Sequence, residues 1–138
     1  MRVRPENARE LELGHSCITF QGEDSVTIRS GSDEAPIEHS FKFSKAFPPT
    51  GTQVQLFKEI GEPLVDSVLN GFNASVICYG STGAGKTYTM FGFGWDGTAT
   101  MDGLEPTLRG IIPRMCEDLF ARMVSTETVE YTAKVSFV

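Results

Sequence analysis

Hydrophobic and polar positions alternate through the first third of the chain. Residues 16–20 and 25–29 carry Ile18, Phe20, Val26 and Ile28 between polar neighbours. They flank Gln21, Gly22, Glu23 and Asp24, so the pattern predicts a β-hairpin. Residues 29–36 are polar and rich in Gly and Ser, which predicts a loop. Phe41 and Phe43 then alternate with Lys42 and Ser44, predicting a further strand that ends near Phe47, where Pro48 and Pro49 stop it. At residue 52 the period changes from two to about 3.6. Thr52 and Gln55 have capping-box spacing. Leu56, Phe57, Ile60, Leu64, Val65, Val68 and Leu69 follow on one helical face, and Gly71 is placed to cap the end. Pro63 lies inside this run and predicts a kink or break near Gly61.

The second half carries a different signal. Ser75, Val76, Ile77, Cys78 and Tyr79 form a short apolar run between Asn73 and Gly80, as expected of a buried parallel strand. Residues 91–109 hold glycines at 92, 94, 97 and 103 with no periodicity, and predict a long loop. Ile111, Ile112 and Pro113 open a second helix reaching about Met123, with Met115, Leu119 and Met123 at helical spacing. Residues 131–138 alternate again and predict a last strand, which breaks off where the chain stops. Strand, glycine loop, helix and strand in succession are the grammar of an α/β fold.

One motif carries chemistry. Gly80, Ser81, Thr82, Gly83, Ala84, Gly85, Lys86 and Thr87 match G-x-x-x-x-G-K-[ST] at every position. The glycines let the backbone wrap so that several N–H groups converge on a phosphate. Lys86 supplies a charge for the β- and γ-phosphates, the Thr87 hydroxyl suits Mg²⁺, and a helix starting at Lys86 adds the positive end of its dipole. Gly92, Gly94 and Gly97 spell G-x-G-x-x-G, but not between a strand and a helix, so a dinucleotide reading fails on context. Trp95 in the same stretch is expected to be a packing anchor. A catalytic acid is missing. None of Asp96, Asp102, Glu105, Glu117, Asp118, Glu127 and Glu130 follows the apolar strand that a Walker-B aspartate requires. Nucleotide binding is expected, and the machinery of hydrolysis is incomplete.

Composition trims the alternatives. The 138 residues carry 12 Lys and Arg against 18 Asp and Glu, a formal charge of −6, which gives no support to a nucleic-acid-coating role. No apolar run reaches the ~20 residues that span a bilayer. The N-terminus has no apolar leader core, and an intracellular protein is expected. Cys17, Cys78 and Cys116 are scattered, and His15 and His39 have no partner at ligand spacing, so a disulfide scaffold or zinc site is not expected.

The residues resemble the kinesin motor domain. Arg2, Val3, Arg4 and Pro5 are similar to the family's R-x-R-P motif, and the likeness continues through Phe41 to Phe43, Ala46, Phe47, Thr52, Gln53, Leu56, Phe57 and Gly71 to Ala74. It is most specific over residues 79–90 (Y-G-S-T-G-A-G-K-T-Y-T-M), then recurs at Gly110 to Arg114 and Val135 to Val138. Ser81 stands where the family usually has Gln, and Ser44 where it often has Asp. Only the backbone N–H is needed at position 81.

The resemblance implies an α/β P-loop NTPase, with a central, mostly parallel sheet flanked by helices. Residues 1–138 would be an incomplete kinesin motor core. The strand before R-x-R-P, both switch motifs, the main microtubule-contacting elements and the neck linker are absent from it. Catalytic residues would then lie beyond Val138. ATP and Mg²⁺ are the implied cofactors. Residues 80–87 would hold the phosphates and Thr87 the metal, while Arg2, Arg4, Pro5 and Tyr88 would line the adenine. The implied partner is the microtubule (tubulin), with dimerisation through a stalk this chain lacks and no role for nucleic acid or membrane insertion. The implied location is the cytoplasmic microtubule cytoskeleton. Two other classes compete: a short non-catalytic nucleotide-binding or interaction module, and another P-loop enzyme such as a myosin or nucleotide kinase. The myosin reading leaves R-x-R-P, Y-T-M and G-I-I-P-R unexplained.

Overall fold

Two contact-defined units divide the chain, Met1–Thr52 and Gln53–Val138. The structure, a computed structural model, describes residues 1–13, 17–32, 35–94, 105–126 and 128–136. His15, Ser16, Trp95, Asp96, Gly97, Asp102, Gly103, Glu127, Phe137 and Val138, named above, lie outside them, as does most of the loop expected over 91–109.

The first unit opens with a segment whose Arg2 forms a parallel bridge with Phe47. The Val3 N–H donates to the Phe47 carbonyl at 2.9 Å, and the Phe47 N–H to the Met1 carbonyl at 2.8 Å. A short helix α1 (Ala8–Leu13) follows, which the apolar periodicity did not predict. Its signal is a capping box: the Glu10 N–H donates to Asn7 Oδ1 at 3.0 Å, and the Asn7 N–H donates back to Glu10 Oε2 at 2.9 Å. Three strands then pair in order as an antiparallel sheet, β1 (Ile18–Gln21), β2 (Ser25–Ser32) and β3 (Ala35–Lys42). The predicted hairpin is therefore present.

The predicted loop over 29–36 and strand over 41–47 are corrected. β2 runs on to Ser32, β3 begins at Ala35 and ends at Lys42, and Phe47 pairs only with the N-terminal segment. Cross-strand pairing overrides the Gly/Ser composition that reads locally as a turn, since strand preference depends on the partner strand. One such contact joins Thr27 Oγ1 and Ser40 Oγ at 2.9 Å. Val26, Ala46 and Phe47 are the buried apolar side chains among the described residues of this unit.

The second unit begins with an almost unbroken helical run. It comprises α2 (Gln53–Leu56), a π segment (Phe57–Gly61) and α3 (Glu62–Leu69). The break expected near Gly61 takes the form of this π segment, which widens the turn just ahead of Pro63. Gly71 ends the run with a φ of +88°. The Phe72 N–H reaches the Ser67 carbonyl and the Gly71 N–H the Val68 carbonyl, each at 3.0 Å, which is a Schellman cap. The second predicted helix is α5 (Ile111–Ser125); it packs along α3 and the π segment. Arg122 joins these helices, pairing with Asp66 of α3 and, at 2.8 Å, with Asp118 of its own helix. Leu56, Val65 and Ile111 are buried here.

The expectation of a buried parallel strand at 75–79 is corrected. These residues carry no ladder, and Ile77 and Tyr79 are 87% and 100% exposed. Residues 131–136 likewise form no strand. An apolar run becomes a buried strand only when other strands flank it and helices cover its faces, and no described segment pairs with either run. Among the described residues no helix is long and apolar enough to cross a membrane.

Candidate phosphate-binding loop

Residues 80–85 turn tightly between the apolar segment 75–79 and the helix α4 (Lys86–Met90). The turn depends on its glycines: Gly80, Gly83 and Gly85 have φ of +157°, +79° and +90°, values that side-chain-bearing residues adopt at a cost. Gly85 immediately precedes α4, so the chain enters the helix from a left-handed residue. Lys86 folds back across the turn. Its Nζ donates to the Gly80 carbonyl at 2.8 Å and the Ser81 carbonyl at 2.9 Å, so the ammonium closes residues 80–86 into a ring. Ser81, Thr82, Gly83, Ala84 and Thr87 are exposed and Gly85 and Lys86 half-buried, leaving the loop open to a solute. The Thr87 hydroxyl is an oxygen donor of the kind Mg²⁺ takes. This donor set fits a Mg-nucleotide: a charge, a hydroxyl and a glycine-lined turn.

Two supports hold α4, and sequence reasoning assigned neither. Gln53, only 2% exposed at the start of α2, donates its side-chain N–H to the Tyr88 carbonyl at 2.6 Å. The family resemblance runs through Gln53, but spacing and composition gave it no role. The second support is the closure of the stretch after α4. Gly92 bridges Arg109, the Phe93 N–H donates to the Leu108 carbonyl at 3.2 Å, and the Gly110 N–H donates to the Phe91 carbonyl at 2.9 Å. A Cβ on Gly110 would stand 2.6 Å from the Met90 carbonyl, so the two backbones cross at contact distance. Gly92 thus serves a chain crossing. Arg114 fastens the crossing from α5: its Nε donates to the Arg109 carbonyl at 2.9 Å, and its Nη2 reaches the Pro106 carbonyl. Arg109 itself pairs with Glu117. Burial lowers the pKa of Arg114 from its ordinary value.

The residues expected at the adenine fall in different units. Tyr88, on α4, is 37% exposed. Arg2, Arg4 and Pro5 stand in the first unit. The Arg2 guanidinium lies 3.5 Å from the Gly51 carbonyl. Arg4 is held far more tightly, by a bidentate pair with Glu10.

A glycine turn closed by its own lysine, between an apolar segment and a helix, marks a P-loop nucleotide-binding protein. The kinesin motor domain model matches residues 2–138, and the chain belongs to the kinesin motor-domain family. It is 39% identical to the kinesin heavy chain of Neurospora crassa over 138 residues, covering 99% of this chain and 14% of that protein. It is 31% identical to kinesin-related protein 9 of Dictyostelium discoideum, again over 99% of this chain and 14% of the relative. A solved structure of a fast kinesin superposes with a TM-score of 0.75 at 40% identity, over 92% of this chain and 33% of that one. The chain thus has the P-loop NTPase fold class and spans a small part of its relatives' length.

Proposed function

We propose that this chain is the Mg-ATP-binding part of a kinesin-like motor. In the complete protein, ATP hydrolysis would drive movement along microtubules. The observation that carries the reading is the Lys86-closed loop, set in a chain that is similar to kinesin motors over its whole length. Residues 80–87 receive the triphosphate. Their backbone N–H groups and the first turn of α4 donate to it, and the Lys86 ammonium exchanges the Gly80 and Ser81 carbonyls for phosphate oxygens. Thr87 holds Mg²⁺ through its hydroxyl. The ion, when bound, offsets the phosphate charge. By the family resemblance, Arg2, Arg4, Pro5 and Tyr88 would line the adenine in the complete motor.

Turnover needs residues beyond Val138, and so does binding to tubulin. The working location is the cytoplasmic microtubule cytoskeleton. Dimerisation would belong to a stalk outside this segment, and the net charge of −6 offers nothing to nucleic acid.

Calorimetric titration of Mg-ATP tests the loop. The wild-type chain should bind weakly. Lys86→Ala should lower affinity by about 10- to 150-fold or more, because each hydrogen bond from a charged donor is worth about 1.5–3 kcal/mol. Binding that survives Lys86→Ala overturns the assignment of the loop. The same chain should show no microtubule-stimulated phosphate release, and robust turnover would overturn the placing of the catalytic residues.

A further inference from the structure

Gln53 is the most deeply buried polar side chain among the described residues, at 2% exposure. An amide taken out of water is costly unless it is hydrogen-bonded, and an apolar side chain of the same length would fill that space at less cost. What the glutamine supplies is a donor. Its Nε2 reaches the Tyr88 carbonyl at 2.6 Å, and the same carbonyl accepts the Gly92 N–H at 2.9 Å. The two ends of this contact are held differently. Gln53 opens the helical run whose Leu56 and Val65 are buried, and α5 packs along that run. By contrast, α4 has five residues, and none of their side chains is buried. A helix that short does not sustain itself in water, and with no buried face it takes its place from the groups bonded to its backbone. Lys86 and Thr87 are its first two residues, and Lys86 also closes the turn onto the Gly80 and Ser81 carbonyls. The bond from Gln53 therefore ties the stretch that carries the charge and the hydroxyl to a packed helical run of the same unit.

We propose that Gln53 is a positioning residue for phosphate recognition: through the Tyr88 carbonyl it holds α4, and so presents Lys86 and Thr87 to the triphosphate before binding. The inference rests on the reading that residues 80–87 receive the phosphates of Mg-ATP, and it adds to that site a residue outside the motif. Groups already oriented when a ligand arrives spare the complex the cost of ordering them. Because the bond acts on the phosphate side, its loss falls equally on ligands with and without a base.

The test titrates the 138-residue chain with Mg-ATP and with Mg-tripolyphosphate, which lacks base and sugar. Gln53→Met keeps the length and the burial but removes the donor. It should weaken both ligands about two- to twelvefold, at a temperature where circular dichroism shows wild type and variant fully folded. Gln53→Glu separates the hydrogen bond from packing. A buried carboxyl resists ionisation, so at about pH 5.5 its O–H can donate to the Tyr88 carbonyl, and at about pH 8 it cannot. Referred to wild type at the same pH, Gln53→Glu should bind within about twofold in the acid buffer and lose at least as much as Gln53→Met in the alkaline one. Wild-type affinity in Gln53→Met, loss of Mg-ATP alone, or a Gln53→Glu ratio that does not change with pH overturns the inference and leaves the phosphate loop standing. If neither variant folds, the Gln53 side-chain amide resonances of the wild-type chain decide. They should shift as Mg-tripolyphosphate is added, and resonances that stay fixed overturn the inference. Binding that survives Lys86→Ala, or a wild-type chain that binds neither ligand, overturns the loop reading and this inference together.

Discussion

Individual side chains in this protein divide between those a pattern exposes and those only their neighbours define. Lys86 belongs to the first kind, because its motif names it and the structure shows it turned onto the Gly80 and Ser81 carbonyls. Gln53 belongs to the second, since what marks it out is its side-chain hydrogen bond to the Tyr88 carbonyl. Glu10 also belongs to the second kind: its capping box with Asn7 and its grip on Arg4 were both found only in the structure. That grip has a pH signature. Hydrogen bonds from Arg4 first, then from the Asn7 N–H, lower the Glu10 pKa from 4.5 to about 2. A lowered carboxylate pKa means that the unfolded chain takes up the proton first. The stabilisation from Glu10 is therefore complete above pH ~4.5 and lost as pH falls from there towards ~2. Denaturation of wild type and Glu10→Gln across pH 2 to 7 should show a constant stability difference above about pH 5 that closes towards pH 2. A difference independent of pH would exclude an ionised Glu10 as its source.

Among elements, the helical run from Gln53 to Leu69 was the best legible, because its apolar spacing, its proline and its terminal glycine all pointed to one object. The register shift inside it was not legible in detail. Phe57 and Gly61 meet across the π segment, where a Cβ on Gly61 would run into the Phe57 ring. Replacing a helical glycine by alanine ordinarily gains about 0.5–1 kcal/mol. Here overpacking should dominate, so Gly61→Ala should cost about 1–3 kcal/mol. Thermal melts of the two chains give the sign, and a raised Tm would show that the ring yields freely. The sheet of the first unit teaches the opposite lesson. Residues 29–36 read as a loop by composition, yet most of them sit in β2 and β3, because pairing with a neighbouring strand outweighs local preference.

For the whole molecule, the decisive feature is apolar surface left in water. Phe72, Ile77, Tyr79 and Val135 are all more than half exposed, three of them within the stretch leading into the phosphate loop. Extended apolar segments with unsatisfied edges recruit one another between chains. The 138-residue chain should therefore self-associate with rising concentration, as read by light scattering behind size exclusion, and the pair Ile77→Lys with Val135→Lys should shift it towards monomer. A wild-type chain that remains monodisperse across the same range would overturn this account. The sequence by itself determined the glycine turn before Lys86, the helical face, the first hairpin and the family, because each is written in local spacing or in a long run of matched residues. Only the tertiary structure decided that Gln53 supports α4, that Glu10 holds Arg4, and that residues 75–79 stand without a ladder. Those facts depend on which segments lie beside one another, and a strand or an ion pair exists only where its partner is.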